Sequence, residues 1–369
     1  MKIINIVGAR PNFIKIAPII REMSRFPRLE QILLHTGQHY DRMMSDSFFE
    51  NLDIPEPDIH LGVGSASHAV QTAAIMEGFD RVLDDHDADL LVVVGDVNST
   101  IACALTAVKR GVRVAHVEAG LRSFDRGMPE EINRILTDSI SDLLFTTESS
   151  AMENLRHEGV PDEKIHFVGN VMIDTLLAYR DRWAASVILD ELGLVEGGYI
   201  VLTLHRPTNV DEADVFDNIL DAVGEFQESL PVVFPIHPRS RKMLAELDLD
   251  RKVRDVPGLK MIEPLSYLDF MKLLNGARFA MTDSGGIQEE STVLGIPCLT
   301  LRESTERPVT VEIGTNIMVG PSKDAIIREG RRILGGETKA GQVPELWDGH
   351  AAERIVDVIN SLDDRPADE

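Results

Sequence analysis

The stretch from Thr282 to Glu290, TDSGGIQEE, contains the residues best suited to bind an anion. It follows the apolar run RFAM and opens a predicted helix whose apolar positions include Ile287 and Leu294. Two adjacent glycines let backbone N–H groups approach a ligand closely, and a helix N-terminus adds donors and the positive end of a dipole. Arg307, in the string TERP, supplies a guanidinium that could grip the same anion. The pattern predicts a phosphate site, although Ser-Gly-Gly alone would also fit an ordinary strand-to-helix turn.

Three carboxylates are candidates for acid and base chemistry. Asp96 follows the strand-like run LLVVVG, and Glu118 follows VRVAHV. An acid directly behind an apolar strand lies at the edge of a low-dielectric sheet, where its proton affinity can be tuned. Glu130 lies in the first turn of a predicted helix, where an acid can simply offset the helix dipole, and its spacing predicts an i,i+4 pair with Arg134. Position alone therefore favours catalysis for Asp96 and Glu118 and a structural role for Glu130.

Short aliphatic runs alternate with amphipathic segments along the whole chain, which predicts parallel strands with crossover helices. The strand-like runs are KIINIVG, QILLHT, DLLVVVGD, VRVAHVEA, LLFTT and IHFVGN, then YIVLTLHR, VVFPIHP, LKMIEP, RFAMTDS and PCLTLR. The predicted fold class is α/β, with two doubly wound Rossmann-like domains facing across a cleft. We expect an N-terminal domain over residues 1–175, a C-terminal domain over 176–349, and a final helix at about 350–369 that packs back on the first.

Polar side chains collect just past the carboxyl ends of these runs. They are Arg10 and Lys15, Gln38 and His39, Asp96 and Asn98, Glu118 and Arg122, His205 and Arg206, His237 and Arg239, and Asp283 and Ser284. Ligands of open α/β sheets bind at this edge, so a cleft between two facing sheets would collect these groups.

Composition argues against several classes of function. The 369 residues carry a formal net charge of -24, from 37 basic and 61 acidic residues, which is unsuited to binding nucleic acid or anionic membranes. Cys103 and Cys298 stand apart in apolar surroundings, as core thiols of a cytoplasmic protein would. The N-terminal string does not resemble a signal peptide, and no apolar run reaches membrane-spanning length. The sequence has no P-loop, no complete dinucleotide-binding glycine motif and no metal-ligand spacing, so we expect neither cofactor nor metal.

Eight strings carry a resemblance to a known family. In order they are GARPNFIK, TGQH, GDVNST, HVEAGLRS, MPEEINR, LHRPTN, TDSGGIQEE and TERP. They resemble the strings of the non-hydrolysing UDP-N-acetylglucosamine 2-epimerases, and the match runs from residue 1 to about residue 360. The resemblance implies the two-domain fold shared with one large class of glycosyltransferases (the glycosyltransferase-B fold), a UDP-sugar held between the domains, and a homodimer.

Roles for individual residues follow from this resemblance, by position. It implies that the diphosphate is held by Arg10 of the N-terminal domain and by five residues of the C-terminal, UDP-binding domain: His205, Ser284, Gly285, Gly286 and Arg307. It implies that the sugar and its chemistry involve Lys15, Asp96, Glu118 and Glu130, with His205 beside them. Glu290 would bind the ribose hydroxyls and Phe270 would lie beside the uracil. Leu265 replaces a glutamine that many members have before that helix, so one base contact should differ.

The implied reaction is the reversible conversion of UDP-N-acetylglucosamine to UDP-N-acetylmannosamine, for surface polysaccharide precursors. One alternative is a 2-epimerase of a UDP-2,3-diacetamido uronic acid, which shares most of the motifs. Another is a glycosyltransferase or a sugar-nucleotide-binding protein of the same fold. A glycosyltransferase would not need three carboxylates at the sugar, and a silent binding protein should have lost them.

A second UDP-N-acetylglucosamine binds many bacterial members of this family through a Gln-His-Arg-Gln string and a helical arginine. This chain has Gln38, His39, Tyr40 and Asp41 in the string and Ala74 in place of the arginine. Only His237 matches the third element of that family site, a histidine in the second domain. A lost guanidinium and an added carboxylate both disfavour a diphosphate, so we expect a weakened effector site.

Overall fold

The structure is a computed structural model that describes residues 1–38, 52–227 and 229–362. The chain divides into two compact units. The first comprises Met1–Ala178 and the segment from Glu345 onward, and the second is Tyr179–Pro344. His39, Tyr40 and Asp41, on which the expectation of a weakened effector site rests, lie outside the described residues.

The first unit contains a wholly parallel sheet with helices between its strands. Its strands are β1 (Lys2–Val7), β2 (Glu30–His35), β3 (Ile59–His60), β4 (Leu90–Val94), β5 (Arg113–Ala119), β6 (Leu143–Thr146) and β7 (Ile165–Phe167). Its helices are α1 (Arg10–Met23), α2 (His68–Asp85), α3 (Asn98–Lys109), α4 (Pro129–Ile140), α5 (Ser149–His157), α6 (Val171–Ala178) and, at the C-terminus, α17 (Ala351–Ser361). The strand order is β3-β2-β1-β4-β5-β6-β7.

The second unit repeats this plan with a smaller parallel sheet. Its strands are β8 (Ile200–Thr203), β9 (Val232–Pro235), β10 (Leu259–Ile262), β11 (Phe279–Thr282), β12 (Cys298–Thr300) and β13 (Asn316–Met318), in the order β10-β9-β8-β11-β12-β13. Its helices are α7 (Arg180–Ala184), α8 (Ile188–Leu192), α9 (Pro207–Val210), α10 (Ala213–Phe226), α11 (Pro238–Glu246), α12 (Asp250–Arg254), α13 (Tyr267–Asn275), α14 (Gly285–Leu294), α15 (Pro308–Glu312) and α16 (Lys323–Leu334). The predicted class of two doubly wound α/β domains is therefore confirmed.

Each sheet changes winding direction once, at a neighbouring pair of strands. In the first unit β1 pairs with β2 on one side and with β4 on the other. In the second unit β8 has the same relation to β9 and β11. Such a switch point leaves a crevice at the carboxyl ends of the two strands, because their crossover helices lie on opposite faces. The two crevices are where ligands of this architecture are expected.

Two edge strands were missed by the sequence analysis, which expected six strands in the first domain and five in the second. They are β3, with two residues, and β13, with three. Strands this short carry no readable alternation or apolar run, and only pairing with a longer neighbour defines them.

The C-terminal segment is an integral part of the first unit. Trp347 is buried, and its indole Nε1 donates to the backbone carbonyl of Thr147 at 2.9 Å. Asp174 caps α17 by accepting hydrogen bonds from the N–H groups of Ala351 (3.1 Å) and Ala352 (2.7 Å). Burial raises the pKa of Asp174 to about 6. The C-terminal segment, which follows the second unit in sequence, thus completes the core of the first unit.

Cys103 and Cys298 are both buried and free, as predicted for core thiols. Burial raises the pKa of both thiols, so they stay protonated. None of the helices in the described ranges is both long and apolar enough to span a membrane.

Replacing Trp347 with alanine should destabilise the first unit by about 3–5 kcal/mol, because it opens a large cavity and leaves a buried carbonyl without its donor. The midpoint of urea unfolding measures this loss. Val343→Ala, at an exposed position of the same chain region, is the control and should leave the midpoint unchanged. Equal midpoints for the two variants would contradict a core role for the C-terminal segment.

Candidate active site

The first half of the candidate site, here called the first-unit site, contains Lys15, Asp96, Glu118 and Glu130. Lys15 is buried, and its ammonium group forms an ion pair with Glu118 at the end of β5. A Cβ atom added to Gly95 would lie 3.4 Å from Lys15 Nζ and 3.7 Å from Glu118 Oε2. The crevice at β1 and β4 therefore holds a charged pair directly over the Gly95 backbone.

Glu118 has a strained backbone. Its φ of 72° lies in the left-handed region, which costs a non-glycine residue about 1–3 kcal/mol. The register of β5 against β6 shifts at this point, between Val117 and Ala119. The following Gly120 also has a positive φ, of 79°, and a Cβ there would lie 2.4 Å from the carbonyl oxygen of Ala151. The strained turn carries the Glu118 side chain to Lys15.

Asp96 is held by an arginine from α4. The guanidinium of Arg134 is buried, pairs with Asp96 and lies 2.7 Å from Glu131 Oε2. Glu131 also accepts hydrogen bonds from the N–H groups of Ser123 (3.0 Å) and Phe124 (2.9 Å). Arg134 and Glu131 were absent from the predicted site, yet they orient one of its acids and the loop before α4.

Glu130 does not form the predicted i,i+4 pair with Arg134. Among the described residues its half-buried carboxylate has no hydrogen bond or ion pair, whereas its neighbour Glu131 lies on the buried face of α4 and takes the arginine. The expectation of a structural ion pair for Glu130 is therefore wrong. Helical spacing permits both pairs, and only the direction of the buried face selects between them.

The turn after β1 is fixed by an asparagine. Asn12 Oδ1 accepts hydrogen bonds from the N–H groups of Gly8 (3.1 Å) and Ala9 (2.9 Å), and its Nδ2 donates to the Val94 carbonyl at 2.9 Å. This side chain ties the ends of β1 and β4 together. Arg10 is the first residue of α1, at the same turn, and is half-buried.

The second half of the candidate site, here called the second-unit site, lies at the carboxyl ends of β8 and β11. Asp283 is buried, and its Oδ1 lies 2.8 Å from Nδ1 of His205. Its oxygens also accept from the backbone N–H groups of His205 (3.0 Å) and Arg206 (2.9 Å). Burial acts to raise the pKa of Asp283, but His205 and these N–H groups hold it below its usual value. An ionised Asp283 thus orients the His205 ring.

Helix α14 begins at the predicted glycines. Ser284 is its N-cap residue, and no side chain caps the first turn. The amide N–H groups at such an end have no intrahelical partner and favour an anion. Ser284, Gly285 and Gly286 therefore lie together at an anion-binding helix terminus beside His205.

Arg307 lies against this terminus. Its Nε is 2.6 Å from Glu289 Oε1, and its NH1 is 2.7 Å from Glu306 Oε1. A Cβ at Gly285 would lie 2.7 Å from NH1 of the same guanidinium. Gly285 is therefore needed for the close approach of the arginine, in addition to any approach of a ligand.

Two further arginines surround the same acids. Arg302 is buried with its NH2 2.8 Å from Glu306 Oε2, and Arg206 NH2 lies 3.6 Å from Glu306 Oε1. Burial lowers the pKa of Arg302, and the neighbouring arginines add to this. Arg206, Arg302 and Arg307 thus lie against Glu289 and Glu306. Sequence reasoning assigned no role to Arg302, three residues before the TERP string, or to Glu306, the second residue of that string.

The remaining predicted residues lie on α13 and α14. Glu290 is buried, and its charge adds to the effect of burial in raising the pKa of Tyr267 well above its usual value. Phe270 and Leu265 are half-buried and pack against one apolar cluster of the second unit. Within the described residues, no group of three His, Cys, Asp or Glu side chains could hold a metal.

Fold and site together define a two-unit parallel α/β protein, with an anion-binding helix terminus in one unit and a carboxylate-rich crevice in the other. Comparison with known proteins agrees. Residues 21–360 match the family model described as UDP-N-acetylglucosamine 2-epimerase. The chain belongs to this family, as its motifs predicted.

Individual relatives match along nearly their whole length. A Methanococcus maripaludis protein named as a UDP-N-acetylglucosamine 2-epimerase homolog is 44% identical, over 98% of this chain and 100% of the relative. The crystal structure of Methanocaldococcus jannaschii UDP-GlcNAc 2-epimerase in complex with UDP-GlcNAc and UDP superposes with a TM-score of 0.92 at 41% identity, over 98% of this chain and 99% of that one. A Pseudomonas aeruginosa UDP-2,3-diacetamido-2,3-dideoxy-D-glucuronate 2-epimerase is 39% identical, over 98% and 100% of the two chains.

Substituting Asp283 with asparagine should lower the free energy of unfolding of the second unit by about 1–3 kcal/mol at neutral pH, because one buried acceptor becomes a donor facing N–H groups. The folded pKa of Asp283 lies below the usual 3.8, so its contribution is present above that pH and is lost below it. Urea unfolding from pH 8 to pH 3 measures the difference in the free energy of unfolding between variant and wild type. This difference should be constant down to about pH 4 and should become smaller below it. A difference that grows on acidification would contradict an ionised Asp283.

Proposed function

We propose that this protein catalyses the reversible C2 epimerisation of UDP-N-acetylglucosamine to UDP-N-acetylmannosamine. The observation that carries the proposal is the pairing, in one chain of this family, of the α14 terminus and Arg307 with a crevice that holds three carboxylates and Lys15. One unit is suited to hold a diphosphate and the other to move a proton.

The C2 proton explains why both sites are needed. This proton is hardly acidic, because the neighbouring substituent is an acetamide nitrogen and not a carbonyl. Removing it becomes feasible when UDP leaves C1, since elimination across C1 and C2 gives neutral 2-acetamidoglucal. UDP then adds back, and the proton returns to the other face of C2. Cationic groups stabilise the leaving diphosphate, and carboxylates carry the proton and support positive charge at C1.

The second-unit site is proposed to hold UDP. Ser284, Gly285 and Gly286 offer amide donors, and the Arg307 guanidinium offsets the charge of the diphosphate. His205, oriented through Nδ1 by Asp283, would contact the diphosphate through the opposite ring nitrogen. We assign Glu290 to the ribose hydroxyls and Phe270 to the uracil. Arg10, a residue of the first unit, is assigned to the diphosphate.

The first-unit site is proposed to act on the sugar. Asp96 and Glu118 are each paired with a cation, Arg134 and Lys15 respectively. Such carboxylates suit proton acceptance and charge stabilisation. Glu130 has no such pair within the described chain, so it can gain and lose a proton without breaking one. We assign Glu130 to proton exchange with the sugar.

The alternative substrate is a UDP-2,3-diacetamido uronic acid, as the name of the Pseudomonas aeruginosa relative suggests. Its additional carboxylate would need a cation. Lys15, Arg122 and Arg134, which lie in or behind the first-unit site, are each already paired with carboxylates of the protein. This balance supports a sugar without a carboxylate. By the family resemblance we also propose a homodimer in the cytoplasm that supplies precursors of surface polysaccharide.

Incubation with UDP-N-acetylglucosamine in heavy water should give UDP-N-acetylmannosamine with deuterium at C2, because the proton removed during elimination exchanges with solvent before a proton is returned to C2. Proton NMR of the sugar measures both events. UDP-N-acetylglucosamine should turn over faster than the diacetamido uronate in a parallel reaction. Free N-acetylmannosamine as the main product, or epimerisation without deuterium, would contradict the mechanism.

The Glu130→Gln variant should lower kcat by about 100-fold or more, the scale of a lost acid or base, with little change in the affinity for UDP. Its matched control is Glu131→Gln, the same change one residue along. Because Glu131 holds Arg134 and two backbone N–H groups, the control should lower the unfolding midpoint, which Glu130→Gln should not. Near-normal turnover of the Glu130→Gln variant would show that Glu130 takes no part in the proton transfer.

A further inference from the structure

A buried charged network lies behind the first-unit site and includes residues to which the proposed chemistry assigns no part. His116, in the middle of β5, has no exposed surface. Its Nδ1 lies 2.7 Å from Asp138 Oδ1 and its Nε2 lies 2.8 Å from the carbonyl oxygen of Gly95. Asp138, on α4, is also buried.

The two ring contacts determine the protonation state of His116. A neutral imidazole donates from one nitrogen only, and its other nitrogen carries a lone pair. With one proton, the ring would turn a lone pair either toward the Asp138 carboxylate or toward the Gly95 carbonyl, at hydrogen-bond distance. Both repulsions vanish only if both nitrogens carry protons. Two acceptor oxygens thus face the two ring nitrogens, an arrangement that suits an imidazolium.

Surrounding charges compensate this cation. Asp138 Oδ2 lies 2.7 Å from NH1 of Arg122, and the same guanidinium lies 2.6 Å from Glu158 Oε2. Two cations and two carboxylates thus balance. Burial acts to raise the pKa of Asp138, but His116 and Arg122 hold it below its usual value. The Asp138 carboxylate on α4 and the Gly95 carbonyl after β4 favour the doubly protonated ring. The Arg122 charge opposes it and is offset by Glu158 at the end of α5.

The network contacts the backbone beside two of the proposed catalytic acids. Gly95 immediately precedes Asp96, and its Cα lies beneath the pair of Lys15 and Glu118. Asp138 Oδ2 accepts a hydrogen bond from the Gly120 N–H at 3.0 Å, two residues after Glu118. His116 and Asp138 together therefore join the end of β4 to the strained turn of β5.

We propose that His116 is an imidazolium that positions Asp96 and Glu118 for the epimerisation proposed above. It touches neither acid and acts through the Gly95 carbonyl and through Asp138. As an imidazolium the ring donates a charge-assisted hydrogen bond to the Gly95 carbonyl, which is stronger than the bond from a neutral ring and holds the Gly95 peptide more firmly. Displacing reacting groups by about 1 Å can cost about 100-fold in rate, so a small shift of this peptide matters.

The Asp138→Asn variant tests the charge without removing the side chain. With the amide oxygen kept on Gly120 and Arg122, the amide NH2 faces Nδ1 of His116, which must then accept. The ring becomes neutral but still donates from Nε2 to Gly95. We expect kcat for C2 deuterium exchange to fall by about 10- to 100-fold with KM nearly unchanged.

NMR of protein labelled with 15N-histidine reads the charge directly. Wild-type His116 should show two protonated ring nitrogens at neutral pH, and the variant should show one. The matched control is Asp142→Asn, since Asp142 accepts from the Val114 N–H at 3.0 Å at the opposite end of β5 and is half-exposed. It should keep normal exchange rates.

A neutral His116 in the wild-type protein would overturn the imidazolium, whether or not the variant folds. A folded Asp138→Asn variant with normal kcat would overturn the positioning role. Wild-type protein that neither epimerises UDP-N-acetylglucosamine nor exchanges its C2 proton would instead refute the proposed function, and the 15N signals would still decide the charge of His116.

Discussion

The candidate site of each unit depends on a carboxylate buried beneath a strand-end turn. In the first unit Asp138 holds the Gly120 N–H, the His116 ring and the Arg122 guanidinium. In the second unit Asp283 holds His205 and the Arg206 N–H. An ionised carboxylate in a low-dielectric interior is costly unless cations and N–H groups satisfy it. The turn must therefore keep its donors in place, and the side chains that it carries are positioned as a consequence.

The same requirement explains how so acidic a protein can offer a site for an anion. The net charge of -24 opposes the approach of a UDP-sugar at long range. Close to α14, three arginines lie together against Glu289 and Glu306, and the helix terminus adds its own donors. Ion pairs with Glu289 and Glu306 also fix the Arg307 side chain before any ligand arrives, which reduces the entropy lost on binding.

The two units share a plan that could be predicted because its signals are local. Buried parallel strands are continuous apolar runs, such as LLVVV in β4, and they stand out between amphipathic helices. The polar residues behind these runs were found for the same reason. The edge strands β3 and β13 were missed because pairing with a longer neighbour, and not their own two or three residues, makes them strands.

The sequence by itself determined the fold class, the family and the strings from which the site is built, since each depends on residue types within a few positions of one another. Tertiary structure decided how those residues are paired. The sequence offers Glu130 and Glu131 equally to Arg134, yet the packed face of α4 gives the arginine to Glu131 and Asp96. The sequence around His116 predicts only that this residue lies in a buried strand. Its charge follows only from the acceptors that β4 and α4 bring to its two nitrogens, because a long-range contact has no signature in local sequence.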